Sequence, residues 1–132
     1  MIWLLMALLS GPAQANEHSV AVSADVSVSA LDRKQARRLF TGQAVWDDGR
    51  EVKLILPPIE SEAMAWLSTE ILGISPTIYH RYLLEKAYRA GRAPPPVAAS
   101  IEEIQQAAVA MDAVLTVLPL PVGDGFQVVR IN

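Results

Sequence analysis

The spacing of apolar and polar residues divides the chain into elements. Ser19–Val28 alternates apolar with polar or small residues, the period of a half-buried strand. The next element has a defined start. Asp32 as N-cap, Gln35 three residues on and Leu31 placed to staple against Ala36 predict a helix that turns Ala36, Leu39 and Phe40 inward and ends at Gly42. Val52–Leu56 reads as a second strand, stopped by Pro57 and Pro58, which have no N–H for a ladder. A helix from near Ser61 to Gly73 sets Met64, Leu67 and Ile71 on one stripe. Another, with Ser75 as N-cap and Pro76 at N1, runs through Tyr79, Tyr82, Leu83 and Ala87 to Gly91. Arg92–Val97, with its three prolines, predicts an extended linker. Ser100 with Glu103 reads as a capping box opening a helix with Ile101, Ile104, Ala108 and Met111 at helical spacing. Ala113–Leu118 is a continuous apolar run, as in a central strand covered on both faces. Phe126–Ile131 forms a last strand after the turn at Gly123–Gly125. The order β-α-β-α-α-α-β-β predicts an α/β domain, a mixed sheet of four to five strands packed by about four helices. The last two strands, joined by a short loop, could be neighbours in either orientation.

The N-terminus changes the compartment rather than the fold. Ile2–Leu9 is an apolar run shorter than the roughly 20 residues that span a bilayer. Gly11-Pro12 breaks it, and Ala13-Gln14-Ala15 has the small-x-small form of a cleavage site, although no Lys or Arg precedes the run. The expectation is a signal peptide over residues 1–15, with a short membrane-anchored tail as the rival reading, a single domain over 16–132, a periplasmic location and no membrane insertion after cleavage. A net charge of −3 argues against nucleic acid and anionic membrane surfaces as partners. At this charge a phosphate site has to rely on backbone N–H groups at a helix start. The absence of cysteine excludes disulfides, zinc–thiolate sites and cysteine nucleophiles.

Individual residues support structure more than chemistry. Trp46 reads as a core anchor beside Phe40, and Asp47-Asp48-Gly49 as a β-turn rather than a calcium loop. Tyr79, Tyr82 and Tyr88 with His80 are read as a helix face packed on the sheet rather than a sugar or peptide platform. Arg33, Lys34, Arg37 and Arg38 form a basic patch, a solvated face or a docking surface for an acidic partner. With His18 and His80 far apart and no cysteine, neither a metal nor another cofactor is expected. No Ser-His-Asp order, nucleotide-binding glycine loop or paired carboxylates stand out, so the chain is read as a non-enzyme.

Phe40, Gly42, Trp46 and Gly49 stand at the spacing of the "IF-x-G-x(3)-W-x-D-G" segment of periplasmic phosphate-binding proteins of ABC transporters. Ala90-Gly91-Arg92-Ala93-Pro94-Pro95 resembles their "F-x-G-R-x-x-P" loop. Met111–Val117 stands where they have "P-G-A-I-G-Y-V", and Gly123-Asp124-Gly125 where they have "x-D-G-V". Over about residues 19–131 the chain thus resembles the short single-domain relatives of that family, which implies one lobe of a type 2 periplasmic binding protein. The resemblance also implies an anion held by an Arg and a Ser-Gly-Thr at a helix start. Here Pro57 stands on the Arg, and Glu62, Ala63 and Met64 on the Ser-Gly-Thr, leaving Ser61 as the nearby hydroxyl. Glu60 and Glu62 would repel an anion there. The reading is a non-catalytic periplasmic solute-binding-like domain with a degenerate anion site, kept to contact a periplasmic or inner-membrane protein. The alternative is a working binder of a small phosphate-like anion through Thr41, Gly42 and Ser61.

Overall fold

Side chains that alternate between two buried faces set the architecture. In the computed structural model, which describes residues 17–42 and 45–132, strands β1 (His18–Ser23) and β4 (Val114–Pro119) lie side by side in a five-stranded sheet. Val20, Val22, Leu115 and Val117 enter one apolar cluster, while Ala21, Val114 and Leu118 enter another. Successive strand residues point to opposite faces, so each strand is covered on both sides.

The other elements are β2 (Ala30–Leu31), α1 (Arg33–Thr41), β3 (Lys53–Leu54), α2 (Glu62–Leu67), α3 (Pro76–Ala90), α4 (Ile101–Ala110) and β5 (Phe126–Ile131). Helices α1, α2 and α3 bury Phe40, Met64, Leu67, Tyr79 and Leu83 in the first cluster, and α4 buries Ile104 in the second. The described residues therefore form an α/β domain, a mixed five-stranded sheet with four α-helices divided between its faces. Strand order is β2-β5-β1-β4-β3. β1 runs antiparallel to β4 and β5, while β2 pairs parallel with β5 and β3 with β4. Both edge strands are two residues long, which limits edge-to-edge pairing.

The structure departs from several of these expectations. β1 ends at Ser23, not Val28: Val26 N–H closes a turn on Ser23 O at 3.0 Å, and Ser23 Oγ accepts Val114 N–H at 2.8 Å. The last two strands are not neighbours, because β1 lies between them. Since His18 pairs with Pro119 and Ser23 with Phe126, residues 120–125 must cross the length of β1, about 17 Å at ~3.3 Å per residue. They do so on the α4 side, with Val122 buried in the second cluster. Gly125 permits the approach: its φ is +86°, and a Cβ there would lie 3.0 Å from Ala108 Cβ.

The helix expected from Ser61 to Gly73 is α-helical only to Leu67. It widens into a π turn over Ser68–Leu72 that Gly73 closes in the left-handed region. Met111 lies beyond α4, extended and exposed. The linker returns to the sheet edge, where Val97 bridges Leu56.

The caps at Asp32 and Ser75 form as their sequences imply, while the capping box read at Ser100 forms only in part. Asp32 and Gln35 bond reciprocally at 2.7 and 3.0 Å, and Ser75 Oγ accepts Ile78 N–H. At α4, Ser100 accepts Glu103 N–H, but the Glu103 carboxylate takes the Ala99 N–H instead of Ser100's own. Asp32→Ala should cost about 1 kcal/mol, read as a lower urea midpoint with an unchanged slope.

Candidate functional site

Three local arrangements bear on function. The first is the start of α2, where the family resemblance places an anion. Ser61 caps this helix: its Oγ accepts Met64 N–H at 3.2 Å and donates to Pro58 O at 2.6 Å. The hydroxyl's single proton is thus already used. Pro57 is buried, Glu60 and Glu62 are exposed, and no Lys or Arg occurs in the sequence between Lys53 and Arg81. Glu62 in the first turn complements the positive end of the helix dipole, a role an anion would otherwise take.

The second arrangement joins α1 to α3. Thr41 and Gly42 stand at the C-terminal end of α1, where carbonyls rather than N–H groups face outward. Donors spaced i, i+3 and i+7 on α3 meet them. Tyr79 OH donates to Phe40 O at 2.5 Å, and Tyr82 OH and Lys86 Nζ donate to Thr41 O at 3.1 and 2.8 Å. Thr41 Oγ1 donates back to Arg37 O at 2.7 Å. Gly42 has φ +147°, and a Cβ there would fall 1.5 Å from Lys86 Nζ, so a side chain would displace the lysine. Burial, with a smaller contribution from Tyr82, pushes the Tyr79 phenol far above its usual range, which keeps it a donor at physiological pH. Tyr79→Phe removes the donor from a buried carbonyl and should cost about 1–3 kcal/mol, measured by urea denaturation.

Beside this clamp lie two adjoining cavities. One is lined by Arg38, Thr41, Gly42, Tyr82 and Lys86. The other, of about 360 Å³, has Leu39, Val52, Leu54 and Leu83 in its walls with Lys86, Arg92 and Glu51 among its polar lining. Ser61 lines neither, so the structure brings Thr41 and Gly42 together but sets Ser61 in a different local environment. Of the tyrosine face read from sequence, only Tyr79 is packed inward. Tyr82 is partly exposed and Tyr88 almost wholly so. The clamp and cavities were missed, although the Tyr79, Tyr82, Lys86 spacing was a usable signal.

The third arrangement is the Trp46 turn. Trp46 is 4% exposed, and its Nε1–H donates to Ala113 O at 3.1 Å. The same carbonyl accepts Lys53 N–H, and Ala113 itself sits at φ 57°. Gly49 N–H returns to Trp46 O at 2.9 Å, which makes Asp47-Asp48-Gly49 the expected β-turn. Outside it, Arg50 pairs with Asp25 and Asp48, and Lys53 with Asp112. Hydrogen bonds from Arg50 and from Lys53 hold the Asp48 and Asp112 carboxyls below their usual value. A lowered carboxyl pKa stabilises the fold above the unfolded value, about 3.9, and that contribution disappears as pH falls through the lowered one. These pairs are exposed, so salt screens them.

Among the described residues no three His, Cys, Asp or Glu side chains are grouped to hold a metal, and no helix is long and apolar enough to cross a membrane. The predicted signal segment lies outside the described residues. Neither protein-family models nor curated proteins give a significant match to this chain.

Proposed function

We propose that this is a non-catalytic domain of the phosphate-binding-protein-like type, exported to the periplasm, in which the small-anion site has been lost and protein contact retained. The observation that carries the reading is the start of α2. Ser61 spends its hydroxyl on Pro58 O and caps Met64 N–H, flanked by Glu60 and Glu62. An anion arriving there meets two carboxylates and no cation on its own segment.

The competing reading is a working phosphate-like site at the same helix start. A thermal-shift series with phosphate, sulfate and carboxylates separates the two. A specific binder at a hundredfold excess over its dissociation constant gains about 2.7 kcal/mol. The proposal expects no shift beyond that of an ionic-strength control. Export is tested apart from binding: the periplasmic fraction should hold a chain beginning at Asn16, and an intact Met1 in the membrane pellet would contradict it.

A further inference from the structure

Charge is strongly segregated along this chain. Residues 32–42 and 75–92, which make up α1, α3, their caps and the following Arg92, carry eight Lys and Arg against two acids, while the rest carries three against twelve. Part of this basic set shares one surface. Arg38 and Lys86 line one cavity with Tyr82, Lys86 and Arg92 line the next over Leu83, and Arg92 and Arg89 line a third with Leu84 and Tyr88. Large apolar groups stand exposed there: Tyr88 at 89%, Leu84 and Tyr82 at 42% each. Among the described residues neither Arg38 nor Arg92 forms an ion pair, and Lys86 uses one of three protons on Thr41 O. Arg89 is held only by an exposed pair with Glu85 at 3.6 Å. Glu51 and Glu85 are the carboxylates lining these cavities.

We propose that this α1–α3 face docks an acidic segment of a partner protein. Its carboxylates would lie against Arg38, Lys86 and Arg92, and an apolar side chain would enter the cavity over Leu83. The inference deepens the reading of a domain kept for protein contact and rests on it. Charge complementarity selects the sign of the partner. The cavity walls of Leu39, Val52, Leu54 and Leu83 suit a branched aliphatic side chain better than a planar base, which favours protein over nucleic acid. The acidic remainder of the molecule would also repel a long polyanion passing over it.

The test is an amide-resolved NMR titration of the folded domain with a short peptide alternating Glu and Leu. A peptide alternating Lys and Leu and an oligothymidylate serve as comparisons. Shifts should gather at Arg38, Tyr82, Lys86, Tyr88 and Arg92 with the acidic peptide, stay small with the basic one, and weaken as salt is raised. Arg38→Glu with Arg92→Glu changes two exposed side chains and should weaken binding about tenfold or more through like-charge contact, with an unchanged circular dichroism spectrum. Four outcomes overturn the proposal: no shifts at millimolar peptide, an equal response to the basic peptide, a stronger response to oligothymidylate, or unchanged affinity in the double variant. Concentration-dependent shifts of the same amides without peptide would overturn it too, in favour of a second copy. A phosphate titration reads the start of α2, so failure of that reading and failure of this one are told apart.

Discussion

Trp46→Ala is expected to destabilise the domain by about 3–5 kcal/mol, the range for removing a large buried side chain. Two losses combine. The indole fills part of the core that also holds Phe40, Ala113 and Leu115. Its Nε1–H also supplies one of two hydrogen bonds to Ala113 O, at a residue held with φ 57°. That carbonyl ties the turn before β3 to the entry of β4, so the damage reaches the sheet edge. Trp46→Phe separates the two losses. It keeps most of the apolar volume and forgoes the hydrogen bond, whose net worth is about 0.5–1.5 kcal/mol. Urea titrations of both variants should show lower midpoints at a constant slope. A loss below about 1 kcal/mol for Trp46→Ala would mean that the ring is not the anchor described.

What was legible in the sequence was what is encoded locally. The caps at Asp32 and Ser75 depend on a side chain and an amide three residues apart, and both form. The apolar run at Ala113–Leu118 reads as a strand covered on two faces, and Val114–Leu118 is buried in such a strand. Strand order was not legible. Whether β1 separates β4 from β5 is decided by which faces the helices cover, and no local pattern carries that. Tyr82 and Tyr88 show a similar limit. Their spacing on α3 resembles that of a packed face, but burial depends on what lies opposite, and only Tyr79 meets the core. The α1–α3 clamp joins residues about 40 positions apart. Its donors could be seen in the sequence, but their acceptors could not.

The second large effect concerns phosphate. In the phosphate-binding proteins that the sequence resembles, an Arg, two hydroxyls and a helix start serve one anion. Under the proposed correspondence Pro57 contributes no donor and is buried, Glu62 and Met64 stand at the hydroxyl positions, and the proton of Ser61 is held by Pro58 O. Each lost charge-assisted hydrogen bond forfeits about 1.5–3 kcal/mol, and each ~1.4 kcal/mol is a factor of ten in affinity. Losing two or three such bonds, with two carboxylates added beside the site, moves a micromolar binder out of the measurable range.

Isothermal titration of residues 16–132 with inorganic phosphate at neutral pH tests this account most directly. It predicts no saturable heat at millimolar phosphate. A dissociation constant below about 10 μM, equivalent to a little under 7 kcal/mol of binding, would contradict it and show that a phosphate site is intact.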